Sequence, residues 1–242
     1  MFQMSQCKNC HSELNGDYCS QCGRPVSPKR IDMEYVKTEI GQLLYVEKGF
    51  FYTIKELFIR PGKNIKTFIA EDRNRLVKPL VFLFITSLIY TLINYYFHFE
   101  DSYVDYTPIE GSYISMLLRW TQGNQGYANI IMGIFVALWT KVFFKKYGYN
   151  FFEILILLCF VMGIEVLINS CFAVAEVISK MHLMYIASVV GALYTVWATV
   201  QFFERKFVNY LKALAASALG YIMYILSIVL TGTVIDLIVR YC

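Results

Sequence analysis

The sequence predicts an all-α integral membrane helical bundle, of about five transmembrane helices, with a small cysteine-rich ribbon at its N-terminus. Three observations lead there. Hydrophobic residues make up 57% of the 242-residue chain and charged residues 17%, with a mean hydropathy of +0.47, leaving too little polar surface to coat a soluble domain of this size. The apolar residues are gathered into runs long enough to cross a bilayer. Two CxxC pairs lie close to the N-terminus. Charge divides the chain as well: residues 1–79 hold 13 of the 22 Lys and Arg, which sets a boundary at Pro79.

Residues 1–24 form the first unit. Cys7, Cys10, Cys19 and Cys22 follow the pattern C-x2-C-x8-C-x2-C. Each CxxC pair presents two thiolates from one tight turn, and two such turns complete a tetrahedral sulfur site, so this segment reads as a zinc ribbon holding one zinc ion. Asn15-Gly16-Asp17 supplies the reversal between the pairs, and Gly23 suits the second knuckle. His11 stands where a glycine would suit the first. A redox pair, an iron–sulfur site, or His11 as a substitute ligand are the alternatives. No basic stretch followed by an apolar one opens the chain, which places the head in the cytosol, where paired thiols more often bind metal than form disulfides. A closed four-sulfur site has no open position for catalysis, so its expected work is to fold the segment and to dock an unknown cytosolic protein partner. With only Lys8 and Arg24 as basic residues, no nucleic-acid partner is expected.

Residues 25–79 are read as a linker and two amphipathic helices. Pro25 to Arg30 is the linker, Tyr35 to Phe58 the first helix and Asn64 to Arg75 the second, with Arg60-Pro61-Gly62 as the break. Apolar Phe50, Phe51, Ile54, Leu57, Phe58, Ile65, Phe68 and Ile69 alternate in helical rhythm with Lys48, Lys55, Lys63, Lys66, Arg73 and Arg75. Two placements are open. The helices lie on the inner leaflet with their basic groups at anionic lipid headgroups, or they pack on the protein's own cytosolic face. Thr53, Leu57, Arg60-Pro61-Gly62, Phe68-Ile69, Arg73, Arg75 and Pro79, following a zinc ribbon and leading into a first span, resemble a family of bacterial membrane proteins known as a domain of unknown function. The resemblance covers residues 7–97 and brings no activity with it. At the level of architecture alone, the layout is similar to that of the Yip1-like membrane proteins.

Residues 80–242 are expected to form the transmembrane bundle, with spans at 80–97, 128–144, 154–178, 183–203 and 213–235. Basic residues fix the orientation. Arg60 to Lys78 precede the first span, Lys145-Lys146 follow the second, and Arg205-Lys206 with Lys212 follow the fourth. The loop from His98 to Tyr127 carries Glu100, Asp101, Asp105 and Glu110 against Arg119 alone. The alternation implies a cytosolic N-terminus and an external C-terminus, in a bacterial inner (cytoplasmic) membrane. The stretch from Glu110 to Trp120 reads equally as a flat surface helix or an ordered loop.

Ionisable residues inside spans by default mark a function. Glu165, Asn169 and Glu176 fall on one face of the third span, with Glu165 near mid-membrane. Glu176 and Asp236 are expected to reach water, and Lys141 to snorkel. Ala187, Gly191 and Thr195, and likewise Ala216 and Gly220, place small residues where helices approach closely, within one chain or in a homo-oligomer. Cys159 and Cys171 read as packing residues. No nucleophile–base constellation, metalloprotease motif or phosphate loop appears, so no enzyme is expected. The preferred expectation is a non-enzymatic inner-membrane scaffold or regulatory protein whose zinc head binds a partner, with Glu165 and Asn169 hydrogen-bonding between helices. The alternative is a small transporter or channel that uses the same polar face.

Overall fold

In a computed structural model the protein is all-helical, with eight α-helices and no strand among the described residues. The structure describes Cys7, Cys10, Ser12 and residues 19–22, 49–97 and 111–241. His11, the Asn15-Gly16-Asp17 reversal, Gly23, the linker, the start of the Tyr35–Phe58 helix, the acidic residues from Glu100 to Glu110 and Cys242 lie outside them. Residues 1–46 and 47–242 form separate compact units.

The larger unit begins with a helical corner, α1 (Phe50–Ile59) and α2 (Pro61–Ala70). The break between them is narrower than Arg60-Pro61-Gly62. Pro61 opens α2, where its missing N–H is no loss, and Arg60 alone is non-helical. Asn64 reaches back to close the end of α1, its Nδ2 donating to the carbonyls of Glu56 at 2.9 Å and Arg60 at 3.0 Å. The Tyr194 hydroxyl donates to Leu57 O at 3.0 Å. The Tyr194 bond satisfies the Leu57 carbonyl, which Pro61 has no N–H to serve, and the Asn64 amide adds second bonds to carbonyls that already accept from the backbone N–H groups of Arg60 and Asn64. Leu57, Ile65 and Phe68 enter the main core, with Phe68 edge-on to Phe160 at 5.2 Å. These apolar residues of the amphipathic pair thus pack into the bundle. Val77 N–H donates to the buried Thr53 hydroxyl at 3.1 Å, and Arg75 binds the Tyr52 hydroxyl and faces Glu56, tying the approach to the next helix onto α1.

Six helices follow: α3 (Pro79–Phe97), α4 (Tyr113–Gly123), α5 (Gln125–Phe143), α6 (Phe151–Ser179), α7 (Met184–Phe202) and α8 (Phe207–Tyr241). Four of them, α3, α6, α7 and α8, are long and apolar enough to cross a membrane. α5 has a shorter apolar stretch, Tyr127–Phe143. α8 continues past both ends of the apolar run at 213–235, since flanking residues such as Asn209 and Asp236 extend the helix without being apolar.

α6 is the hub. It packs against α3, α5 and α7 and touches both helices of the corner, and 61% of its apolar stretch is buried against 11% for α8. Asn150 and Glu153 start it with a reciprocal capping box. Outward faces stay apolar, as with Leu88 and Leu92 on α3, Val189 and Leu193 on α7, and Leu226, Leu230 and Val234 on α8. An exposed apolar belt of this extent is foreign to a soluble monomer and natural against lipid tails.

The small-residue faces close inside the chain. A Cβ on Gly220 would stand 2.6 Å from Val136 Cα, so α8 and α5 meet backbone to backbone there. Gly232 presses on α4 at Ile114 in the same way. The stretch read either as a surface helix or as a loop is thus the helix α4, capped by Ser112 and lying on α8.

Candidate functional site

Glu165 lies fourteen residues into α6, about 21 Å along a helix of about 43 Å. Its Oε2 accepts a hydrogen bond of 2.6 Å from the Thr195 hydroxyl on α7. Gly191, one turn earlier on α7, makes room for the carboxyl. A Cβ there would come within 3.0 Å of Glu165 Cγ and 3.5 Å of Asn169 Oδ1. The small-residue face of α7 is thus matched to the polar face of α6.

On its other side Glu165 opens on a cavity of about 230 Å³ between α4, α5, α6 and α8. Thr121, Asn129, Glu165, Asn169, Tyr221 and Tyr224 supply its polar wall, with Met132 and Met162 among the apolar lining. Asn129 is held by a 3.3 Å bond from its Nδ2 to Ser87 Oγ on α3. Asn169 Oδ1 is buried without a hydrogen-bond partner. The Tyr224 hydroxyl, also buried, lies near the Thr121 side chain but forms no well-made hydrogen bond with it. Among the described residues no Lys, Arg or His lines the cavity. A carboxylate in such surroundings is costly as an isolated charge, so the site requires a bound proton or a cation. Buried polar atoms without partners are rare in folded proteins, and here two of them face the cavity that holds the carboxyl.

Glu176 is elsewhere. Its Oε2 accepts from the backbone N–H groups of Leu183 at 2.8 Å and Met184 at 3.1 Å, capping the start of α7 across the hairpin. It is buried rather than reaching water. Asp236 is half-buried, and its Oδ1 accepts from Tyr113 N–H at 3.1 Å and braces α4. Lys141 donates to the Tyr149 carbonyl at the start of α6. Of the three residues singled out on the third span, the structure brings Glu165 and Asn169 together and gives Glu176 different work. Sequence reading passed over Asn129, Thr121 and Tyr224, although an asparagine inside an apolar run was a usable signal for the first.

In the N-terminal unit the sulfur atoms of Cys7, Cys10, Cys19 and Cys22 lie within 4.8 Å of one another, close enough to hold a metal ion. Cys7 faces Cys22 at 3.6 Å and Cys10 faces Cys19 at 3.5 Å. An ion about 2.3 Å from each sulfur of a tetrahedron would set them about 3.8 Å apart, so the set fits zinc-sized coordination. The Ser12 hydroxyl lies 3.0 Å from Cys10 Sγ and 3.1 Å from Cys19 Sγ. That hydroxyl, with the backbone N–H groups of Cys22 and Gln21, lowers the Cys19 thiol to about 6 and favours the thiolate a metal needs.

Residues 47–91 match a family described as Protein of unknown function (DUF3667), a stretch that comprises α1, α2 and most of α3. The residues that carried the resemblance in the sequence, Thr53, Leu57, Pro61-Gly62 and Phe68 among them, are those that fasten the corner to the bundle. No curated protein and no solved structure matches the chain.

Proposed function

We propose that the protein is a small, non-enzymatic carrier of the bacterial inner membrane, in which the chamber beside Glu165 takes up a proton or a small cation. One observation supports this above the scaffold reading: the carboxyl at mid-helix, besides its bond to α7, lines a cavity with no basic side chain beside it among the described residues. Glu165 is the charge-bearing ligand, Thr195 orients it, and the Asn169 amide oxygen and Tyr224 hydroxyl are further oxygen ligands. Hard monovalent cations and protons are both served by an oxygen-only donor set. The cysteine head is a structural zinc ribbon that docks a cytosolic partner, a role separate from the chamber. The N-terminus is cytosolic, five helices cross the bilayer and the C-terminus is external.

Reconstituted vesicles test the chamber. Ion or proton flux down an imposed gradient should be measurable with the wild-type chain and lost in Glu165→Gln, while the variant stays folded and monodisperse. If instead Glu165→Gln behaves as wild type and Glu165→Leu lowers stability by about 1 kcal/mol, the carboxyl only hydrogen-bonds between helices and the scaffold reading takes its place.

A further inference from the structure

A second cavity, of about 750 Å³, lies against α2 at the end of the larger unit where α6 begins and α7 ends. Arg60, Lys63 and Lys66 come to it from the helical corner and Arg205 from the turn after α7; Glu71 is the one acid among its described lining residues. Among the described residues none of the four cations takes part in an ion pair. The neighbouring Lys206 differs, for it pairs with Glu204 at 2.8 Å. Like charges gathered in one concave site repel each other and attract an anion.

The site is built rather than a chance meeting of surface lysines. Gly62 rests on the last turn of α7 so closely that a Cβ would stand 2.2 Å from Gln201 O, which fixes the corner carrying three of the cations. Lys66 Nζ sits 5.8 Å from the centre of the buried Phe202 ring, which aims its ammonium along the wall. Asn64 locks α1 to α2 from beneath. Tyr149, Thr67 and Gln201 add hydrogen-bonding groups to the lining. Beside it α1 exposes Phe58 and Ile59, so the cavity lies where an apolar surface gives way to a basic one.

We propose that this pocket binds a phosphate group, in the first place that of an anionic lipid headgroup from the adjoining leaflet, with Arg60, Lys63, Lys66 and Arg205 as its ligands. Guanidinium groups match phosphate oxygens in pairs, and ammonium groups add charge without strict direction. The close contact of Gly62 with α7 holds these cations in a set arrangement, unlike a diffuse basic face, so the site should hold one lipid in place rather than merely enrich many.

Nanodiscs of phosphatidylcholine containing phosphatidylglycerol, released in the gas phase for native mass spectrometry, read the retained lipid directly. Wild type should keep phosphatidylglycerol. The variant Lys63→Gln, Lys66→Gln, Arg205→Gln should bind it about a hundredfold less, from roughly a tenfold loss or somewhat less for each charge removed. The double variant Lys145→Gln, Lys146→Gln, at the same end but outside the pocket, should retain it. Inorganic phosphate, titrated by calorimetry into protein in pure phosphatidylcholine discs, separates the sources. Saturable binding lost in the triple variant, without lipid retention, keeps the phosphate site and assigns it a soluble ligand. Binding of neither, or equal loss of lipid in the triple and double variants, overturns the proposal, and either result leaves the chamber reading untouched.

Discussion

Gly62 decides whether the helical corner can lie on the bundle at all. In an exposed helix, alanine would be the better residue by up to about 1 kcal/mol, because glycine has more backbone freedom to lose. Here the sign reverses. The atoms a Cβ would meet are Gln201 O, Gln201 C and Phe202 N, all backbone, the nearest at 2.2 Å, and none can step aside as a flexible side chain could. Gly62→Ala should therefore destabilise the detergent-solubilised protein by about 1–3 kcal/mol, the usual range for overpacking, read as a lower thermal midpoint. An alanine variant as stable as wild type would mean that α2 does not touch the end of α7. In the sequence this glycine appears only as part of a break between helices. The pattern marks a place where the chain turns but not what lies against it, because the partner is far away along the chain. Asn64 and Tyr194, which close the end of α1, were hidden for the same reason.

At the scale of elements, hydrophobic runs located the helices that carry the chamber, and the four-residue step from Glu165 to Asn169 placed both groups on one face. The same rule overreached with Glu176. Helical spacing carries no information about where a helix stops, and Glu176 lies close enough to the hairpin to serve the next helix instead of its own face. The grouping of the four cysteines was legible beforehand, since ligand type and spacing nearly determine a tetrahedral site. Their four sulfurs gather at distances suited to one ion, and Ser12, which the motif does not include, joins two of them. Purified protein should carry one zinc per chain by elemental analysis, and a Cys7→Ser, Cys22→Ser variant none. Zinc kept by that variant, or iron found in its place, would assign these thiols differently. The spans should keep their helicity when the metal is removed, because their backbone bonds are internal.

Across the whole molecule, charge and connectivity agree on one end. The Lys145-Lys146 turn and the Arg205-Lys206 turn are tied together: Tyr147 donates to Glu204 Oε2 at 3.0 Å, Asn209 donates to the Tyr147 hydroxyl at 2.8 Å, and Phe144 stacks on Phe203 at 4.1 Å. Arg60, Lys63 and Lys66 line a cavity with Arg205 at this same end, and α3 departs from it, since Val77 and Arg75 are fastened to α1. α6 also starts there, with Tyr149 against Phe202 at 4.6 Å. A chain that leaves along α3 and must leave again along α6 has to return between them, and α5 is the helix that delivers Phe144 to the basic end. Its apolar stretch of about 26 Å is slightly short for a bilayer core of about 30 Å, a mismatch that local thinning accommodates. This connectivity supports the proposed five crossings with the basic end inside, four of the helices being long and apolar enough to cross a membrane. Single cysteines in a background freed of Cys171 and Cys242 check this in whole cells. One at Ser179, where α6 ends, should react with a membrane-impermeant thiol reagent, and one at Tyr147 should react only after the cells are opened. Both positions reacting from the same side would mean that α6 does not cross. Labelling of Tyr147 but not Ser179 in intact cells would invert the molecule and place the phosphate pocket on the external leaflet.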